Sequence, residues 1–282
     1  MTDVIAVTAR DNPLLVKLRK LARDPAAYRK LGSLWLEGEH LCAALLARAG
    51  VTGLVPDQAV ISDSAWAQPA LRALAQQARR VVQVPDALFD GLSTLQSPAR
   101  LGFVLALPAA PAIDPAAASV VLDRVQDAGN VGSILRSAAA FGIPQVLALK
   151  GTAALWSPKV LRAGMGAHFG LRLVEGLSLE DLAALSVPLV GTSLASDALL
   201  GTAALPQPCA WVLGHEGQGV AAALLARCAL VLRIPQPGGE ESLNVAAAAA
   251  VCFYESLRRS VAGGISPSAA DFLLSPSRSC AK

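Results

Sequence analysis

The stretch IPQPGGEESLNVAAAAAVCFYE, residues 234–255, decides how the second half of this chain folds. It follows an apolar strand at residues 230–234 and passes through a proline- and glycine-rich loop into a run of small apolar residues. A helix with so few polar residues is expected to be buried on several sides. Its first turn leaves unpaired backbone N–H groups facing the loop, with Ser242 and Asn244 as candidate caps. Taken alone, this stretch is better explained as an ordinary strand, turn and core helix than as a ligand site. Two further strand–loop–helix units make the ligand site the better explanation.

Length and composition indicate a globular protein of one large or two modest domains. The chain has 282 residues, of which 54% are hydrophobic, a fraction that raises the question of a membrane protein. However, it contains no run of about 20 apolar residues. The first ten residues carry Asp3 and Arg10 where a secretory signal needs an unbroken apolar core. We therefore predict a soluble cytoplasmic protein.

The cysteines and histidines predict neither a metal site nor a disulfide framework. The five cysteines are scattered without a C-x-x-C pair, which favours buried free thiols. The three histidines are too far apart in sequence to suggest a cluster of ligands. The net charge of +3 permits a nucleic-acid partner without arguing for one.

The first helix carries basic residues on one face. Asn12 and Pro13 form a cap followed by proline at the first helical position. The leucines that follow share one face, and Lys17 and Lys20 lie on the other with further arginines nearby. A solvated amphipathic helix is the commoner cause of this pattern, and a surface that contacts RNA phosphates is the functional alternative.

Residues 1–107 predict a small α/β domain. Strands and helices alternate, with helices at 39–48 and 63–78, a strand near 51–55 and a last strand at 101–107.

A proline-rich segment separates this domain from the next. Residues 108–117, PAAPAIDPAA, place prolines among alanines and continue neither helix nor strand, so they form the predicted linker. The second domain is predicted at 118–262. Residues 263–282 are rich in glycine, serine and proline and are expected to form a disordered tail.

Three apolar strands of the second domain end in loops that each open a helix, at Asn130, Glu216 and Ser242. In a parallel sheet such loops lie together at the carboxyl ends of the strands, where ligands bind. Asn130 is expected to cap its helix. The spacing G-x-x-G-x-G at 214–219 differs from the dinucleotide fingerprint, and no Walker lysine follows a glycine loop. Close approach of backbone to a ligand explains these glycines better.

These loops carry a resemblance to a known family. The strings NVGSILRSAAAFG (130–142), LGHEGQG (213–219) and IPQPGGEESLNV (234–245) resemble the three signature motifs of the SpoU/TrmH RNA ribose 2′-O-methyltransferases. All three occur in order at predicted strand ends, a combination far more specific than any one of them. RKLGSLWLEGEHLCAAL in the first domain also resembles the start of the family's RNA-binding domain, which is similar to ribosomal proteins. The departures from the motifs are Ala128, Gln236 and Ala246, where proline, methionine and serine are common, and none removes a polar group assigned to catalysis.

The resemblance implies a parallel-sheet α/β domain with a deep C-terminal trefoil knot, preceded by a smaller α/β RNA-binding domain. It also implies a homodimer formed through the knotted domain, and S-adenosylmethionine bound in the knot. By motif match, the cofactor contacts are Thr192, Gly214, Ile234 and Leu243.

The resemblance further implies methyl transfer to a ribose 2′-hydroxyl, with Arg136 as the residue that handles this hydroxyl. Because guanidinium groups stay protonated in proteins, we favour a charged donor that binds an adjacent phosphate and stabilises the developing alkoxide over a base. Asn130 and Glu216 are expected to orient Arg136 or the ribose, and Ser242 and Asn244 to fix the loop and contact RNA. Considered singly, Asn130 and Ser242 are explained as well by helix capping, and Glu216 by a solvent-facing carboxylate.

With its extra N-terminal domain, the chain resembles the family's ribosomal RNA members more than its minimal transfer RNA enzymes. The resemblance therefore favours large-subunit ribosomal RNA over transfer RNA as the substrate. Two alternatives from other classes stay open at this point. The first is a non-catalytic RNA-binding or assembly factor on the same fold, against which the presence of Arg136, Glu216 and Asn244 argues. The second is a small-molecule enzyme with a nucleotide cofactor, which calorimetry with S-adenosylhomocysteine, NAD and ATP would distinguish.

Overall fold

The structure is a computed structural model that describes residues 3–238 and 242–262. The predicted tail at 263–282 lies outside these residues. The chain divides into two compact units, Met1–Ala109 with Trp156–Phe169, and Ala110–Leu155 with Gly170–Lys282. The sequence-based division at 118–262 includes Trp156–Phe169 in the second domain, whereas the structure packs this segment within the first unit.

The described residues form strands and α-helices that alternate along most of the chain. The strands are β1 (Asp3–Ala6), β2 (Ser33–Glu37), β3 (Gln58–Ser62), β4 (Arg80–Val84), β5 (Leu101–Ala106), β6 (Ser119–Leu122), β7 (Gln145–Leu149), β8 (Arg172–Leu177), β9 (Leu189–Thr192), β10 (Ala210–Leu213) and β11 (Leu230–Leu232). The helices are α1 (Pro13–Arg23), α2 (Ala27–Leu31), α3 (Glu39–Thr52), α4 (Asp63–Trp66), α5 (Pro69–Ala75), α6 (Asp86–Asp90), α7 (Ala128–Ala140), α8 (Pro158–Gly164), α9 (Ala222–Leu225) and α10 (Val245–Ala262).

The first unit contains a mixed five-stranded sheet in the order β1-β4-β3-β5-β2. Strands β1, β4 and β3 are parallel, and β5 runs antiparallel to both β3 and β2. Helix α8 packs in this unit against β2 and α1. The α/β arrangement predicted from the alternating pattern is therefore the one observed.

Local signals define α1 as the sequence predicts. The Asn12 side chain accepts a hydrogen bond from the Leu14 amide at 2.9 Å, and Pro13 is the first helical residue. Leu15, Leu18 and Leu21 are buried along one face.

Two elements of the first unit differ from the sequence-based prediction. The strand predicted near 51–55 is wrong, because α3 continues to Thr52 and Gly53, at φ +66°, ends it in the left-handed conformation. The strand lies further on, at β3. The single helix predicted at 63–78 is two helices, α4 and α5, and Pro69 begins the second.

The second unit is built on a six-stranded sheet in the order β11-β9-β10-β6-β7-β8, with every strand parallel to its neighbours. Strands β6, β7 and β10 are buried along their whole length, as in parallel sheets covered on both faces. The chain first adds strands on one side of β6 and then on the other, so the order reverses between β6 and β10. Ligands of such sheets bind at the carboxyl ends beside this reversal.

Helix α10 packs against α7, and the rings of Phe141 and Tyr254 meet at 6.1 Å in an edge-to-face arrangement. The sequence predicts that α10 is buried on several sides, and this prediction is wrong. Val251, Tyr254 and Val261 are 41%, 55% and 57% exposed, so α10 has one apolar face in the core and another outside it. Among the described residues, no helix has the length and apolar character needed to cross a membrane.

The segment between β9 and β10, residues 193–209, is held on both sides. The backbone of Arg233 donates to Ala198 at 2.8 Å and accepts from Leu200 at 2.9 Å. From α10, the Arg259 side chain donates to the Ala203 carbonyl at 2.6 Å. The segment therefore lies between the end of β11 and the last turns of α10.

Free thiols are found as predicted for the cysteines that the structure describes. Cys42, Cys209 and Cys252 are buried, and Cys228 is half-buried. Burial raises the pKa of Cys252 to about 12, so this thiol stays neutral at pH 7. Cys280 lies outside the described residues.

Substitution of Gly102 in β5 tests the packing of the first sheet. A Cβ added at Gly102 would lie 2.3 Å from the Trp35 ring and 2.8 Å from the Leu36 carbonyl oxygen. We expect Gly102→Ala to lower the free energy of unfolding by about 1–3 kcal/mol through overpacking. Gly50, in α3, is the control, because a Cβ added there would meet no atom within 4 Å. Gly50→Ala should raise stability by up to about 1 kcal/mol. Thermal unfolding of the full chain should rank Gly50→Ala above wild type and wild type above Gly102→Ala. Equal midpoints for Gly102→Ala and wild type would contradict this packing.

Candidate active site

The turn after β10, residues 214–219, is a closed backbone loop. His215 and Gly219 exchange two backbone hydrogen bonds, at 3.0 and 2.8 Å. A Cβ on Gly214 would lie 2.1 Å from the Gly219 carbonyl carbon and the Val220 nitrogen. The turn itself therefore requires glycine at 214, and the approach of a ligand to this backbone stays a prediction. The His215 ring, to which the sequence assigned no role, accepts a bond from the Gly217 amide at 3.0 Å and closes the turn.

The Glu216 carboxylate leaves this turn and bonds the loop that precedes α7. It accepts from the backbone amides of Gln126 at 3.2 Å and Asp127 at 3.0 Å, and from the Asn130 side-chain amide at 3.2 Å. Burial opposes ionisation of Glu216. Hydrogen bonds from its own amide, Asp127, Asn130 and Gln126 outweigh that effect and lower its pKa from the ordinary 4.5. Glu216 is exposed to solvent, but these hydrogen bonds make it more than a free surface group: at neutral pH it is an ionised carboxylate bonded to the loop before α7.

Asn130 does not cap α7, contrary to the expectation from the sequence. The helix begins two residues earlier, and the Asp127 side chain accepts from the Asn130 amide at 2.8 Å as the cap. Because Asp127 caps the helix, the Asn130 side chain is available for other partners. It donates to Glu216 and accepts from the Asn244 side chain at 3.0 Å.

Asn244 is the cap of α10. Its side-chain oxygen accepts from the amides of Ala246 at 2.9 Å and Ala247 at 3.3 Å. Its side-chain nitrogen donates to Asn130. Ser242, the other candidate cap, is exposed before the helix and makes no hydrogen bond or ion pair with any described residue.

A continuous chain of side chains, Glu216–Asn130–Asn244, thus joins the loops after β10, β6 and β11. We call this chain the three-loop network. It brings together three of the five residues that the sequence proposes for catalysis.

Arg136 lies apart from the three-loop network. It follows Asn130 by six residues on α7, which places it about 9 Å further along the helix and about 120° around it. Its side chain is exposed and makes no hydrogen bond or ion pair with residues 3–238 or 242–262. The structure therefore does not bond Arg136 to Glu216 or Asn130, and the prediction that these two residues orient Arg136 or the ribose stays a prediction.

A cavity of about 600 Å³ lies within the second unit, and its lining includes Leu243, the residue before Asn244 of the network. Ile234 and Leu243, two of the predicted cofactor contacts, line it. The other walls include Leu200, Val251 and Tyr254. Its volume and mainly apolar walls are typical of small-molecule sites. The two remaining predicted contacts lie outside this lining: Thr192 ends β9, and Gly214 is buried at the start of its turn.

Two polar residues at the carboxyl edge of the second sheet lie outside the family motifs. Asp123, only 4% exposed, and Arg124 come directly after β6 and form an ion pair at 2.9 Å. Their signal in the sequence is an acid that directly follows an apolar strand at the ligand-binding edge, and both residues precede the first family motif, which begins at Asn130.

The two basic residues proposed for RNA contact have different surroundings in the first unit. The Lys17 ammonium group donates to the Ser33 hydroxyl at 2.7 Å and is half-buried. The Lys20 side chain is exposed and makes no hydrogen bond or ion pair with described residues.

Comparison with known sequences identifies relatives of this protein. A sequence profile described as "SpoU rRNA Methylase family" matches residues 117–254. A Bacillus subtilis (strain 168) protein named "23S rRNA (guanosine(2553)-2'-O)-methyltransferase RlmP" is 31% identical over 230 residues, which span 80% of this chain and 88% of that protein.

Solved structures show the same similarity. One described as an RNA 2'-O ribose methyltransferase matches with a TM-score of 0.75 at 29% identity, covering 91% of this chain and 100% of its own. An AdoMet-bound rRNA methyltransferase from Sinorhizobium meliloti matches with a TM-score of 0.76 at 26% identity, covering 91% of this chain and 98% of its own.

The depressed pKa of Glu216 predicts a pH-dependent contribution to stability. The bonded carboxylate stabilises the fold fully above 4.5, its ordinary pKa, and this contribution is lost as the pH falls through the lower folded value. At pH 7 we expect Glu216→Gln to lower the unfolding midpoint by about 2–4 °C. In scanning calorimetry, this difference from wild type should shrink progressively as the pH is lowered below 4.5.

Glu180→Gln is the matched control, because Glu180 is exposed and unbonded among the described residues. It should leave the midpoint unchanged at either pH. A Glu216→Gln deficit of the same size at pH 7 and in acid would contradict the role of the ionised carboxylate.

Proposed function

Because this chain belongs to the SpoU rRNA methylase family, we propose that it transfers a methyl group from S-adenosylmethionine to a ribose 2′-hydroxyl of RNA. The observation that carries the proposal is the three-loop network together with the 600 Å³ cavity, whose lining includes Leu243, the residue before Asn244. It joins strand-end loops at the sheet edge where cofactors of parallel α/β domains bind.

Large-subunit ribosomal RNA is the substrate that we propose. The Bacillus subtilis relative is named for a ribose methylation of 23S rRNA, and the matched part of this chain extends beyond the second unit. Transfer RNA as the substrate is the alternative within the same reaction. Ribosomal RNA is found in the cytoplasm, and we propose that location for the protein.

The cavity fits the proposed cofactor. The side chains of Ile234 and Leu243 offer apolar contacts within it. Thr192 and Gly214 are proposed as additional contacts, since they end β9 and follow β10, which are neighbouring strands. When bound, S-adenosylmethionine supplies an electrophilic sulfonium methyl group, so the protein must mainly position the hydroxyl and stabilise charge.

Arg136 is proposed to supply the positive charge. Its exposed guanidinium has no described partner, so its N–H donors are available to an RNA phosphate and to the ribose oxygen as that oxygen becomes negative. A guanidinium stays protonated under these conditions, which makes it a charge stabiliser and not the base.

The remaining site residues are proposed to orient and bind. Glu216 already accepts three hydrogen bonds, from two amides and from Asn130, so its role is to fix Asn130 and the loop. Asn244 connects this network to the start of α10. Ser242 is exposed, and its hydroxyl is available to RNA.

We further propose that the second unit forms the trefoil knot and the homodimer of its family. The hydrogen bonds of residues 193–209 to Arg233 on one side and Arg259 on the other support threading of the chain end past this segment. The exposed apolar residues of α10, Val251, Tyr254 and Val261, support a face that a second copy covers.

Replacement of Arg136 tests the proposed reaction. Arg136→Ala should reduce methyl transfer to ribosomal RNA by at least about a hundredfold, as expected when a transition-state charge partner is lost. Calorimetry should give an unchanged affinity for S-adenosylhomocysteine, because Arg136 does not line the cavity. Arg227→Ala is the control, since among the described residues the Arg227 side chain bonds the Leu179 carbonyl on the surface and no other group. An active Arg136→Ala protein would refute the assigned role.

Salt dependence tests the basic face of α1. Lys20→Ala should weaken RNA binding and reduce the slope of log affinity against log salt by about one. Lys17→Ala should have a smaller effect, because that ammonium group already donates to Ser33. Arg80→Ala, in the same unit and near Asp3 at 3.9 Å, controls for the general loss of charge. If the Lys20→Ala slope equals that of wild type, α1 presents an ordinary solvated face.

A further inference from the structure

Asp123 holds both ends of the turn at 214–219. Its backbone amide donates to the Leu213 carbonyl at 2.8 Å, directly before the turn. Its carboxylate accepts from the Ala221 amide at 2.7 Å, directly after it. The carboxylate is buried, so these bonds are shielded from water and both ends of the turn are tied to one residue of the β6 loop.

Arg124 extends this attachment to the middle of the turn. Its Nε and Nη2 donate to the two Asp123 oxygens at 2.9 and 3.1 Å, and its Nη1 donates to the Gln218 side chain at 3.0 Å. The guanidinium thus bridges the two loops in a planar fork, a geometry that arginine supplies and lysine does not.

The backbone of Arg124 is in an unusual conformation for this residue type. Its φ of +58° lies in the left-handed region that side chains with a Cβ disfavour. Such a conformation persists where the surroundings over-determine it. Here the Arg124 amide also donates to the Thr152 hydroxyl at 3.1 Å, and Gly151 leaves room for the side chain, since a Cβ added to Gly151 would lie 3.1 Å from Cγ of Arg124.

The attachment runs in both directions between the two loops. Asp123 and Arg124 reach from the β6 loop to residues 213, 218 and 221, and Glu216 reaches back to Gln126, Asp127 and Asn130. The direction of the Glu216 carboxylate therefore depends on where the Asp123–Arg124 pair holds the turn.

We propose that Arg124 is a positioning residue for methyl transfer, which fixes the turn at 214–219 so that Glu216 bonds Asn130. The effect of Arg124 on catalysis rests on the proposed function, whereas its effect on the position of the turn does not. Arg124 acts through Gln218 and Glu216 and does not itself touch the reacting atoms.

Arg124→Gly isolates the side chain, because glycine adopts a φ of +58° without strain. Arg100→Gly is a matched control in the first unit, since Arg100 has a φ of +55° and pairs with Asp86 at 3.0 Å. The first measurement is hydrogen exchange of the Gln126 and Asp127 amides, which donate to Glu216. Exchange of these amides should accelerate about tenfold in Arg124→Gly, as local opening becomes easier, and stay unchanged in Arg100→Gly.

The second measurement is steady-state methyl transfer to ribosomal RNA. In Arg124→Gly, kcat should fall about tenfold to a hundredfold, as for displaced catalytic groups, with KM for RNA unchanged. Gln218→Ala removes the same bridge from the other side and should change both measurements in the same direction by less. The double variant should be no worse than Arg124→Gly, because both residues act along one connection.

The outcomes separate this proposal from the proposed function. Wild-type exchange of the Gln126 and Asp127 amides in Arg124→Gly would overturn the positioning role. If Arg124→Gly does not fold, wild-type exchange in Gln218→Ala would overturn it equally. Accelerated exchange together with a wild-type protein that transfers no methyl group would support the positioning of the turn and refute the reaction.

Discussion

The hydrogen bonding of one carboxylate, that of Glu216, holds the edge of the second sheet together. This group accepts from two backbone amides and from Asn130, on a loop almost ninety residues earlier in the chain. Hydrogen bonds to an ionised acceptor are roughly twice as strong as neutral ones, and these hold the pKa of Glu216 below its ordinary value. Asn244 continues the connection to α10, so that three loops separated in sequence become one surface.

This surface separates the groups that hold the site from the group proposed to act on the substrate. Glu216, Asn130 and Asn244 satisfy one another, whereas Arg136 is exposed on another part of α7. Because the Arg136 side chain bonds none of the described residues, its donors are available for the phosphate and the developing negative charge that we propose it stabilises. Helix α10 shows a similar division, because one face packs in the core with α7 and the other exposes apolar side chains such as Tyr254.

Features that depend on residues adjacent in the sequence could be predicted from the sequence. The start of α1 follows from Asn12 and Pro13, and the left-handed end of α7 follows from Gly142, at φ +76°. The strands of the second unit are short apolar runs followed by turn residues, which is why β6, β10 and β11 could be predicted. The family motifs also located the loop residues that the structure brings together, since each motif lies at the end of a strand.

Features that depend on which strands are neighbours could not be predicted in this way. Arg124 bridges to Gln218, and Glu216 accepts from the Gln126 and Asp127 amides, because β6 and β10 lie side by side in the sheet. By itself, the amino-acid sequence determined the order of strand, loop and helix and the chemical groups at each strand end, because these arise from local pattern. Only the tertiary structure decided the partners of those groups, because a hydrogen bond forms over about 3 Å and strand order, not sequence distance, brings its two ends together.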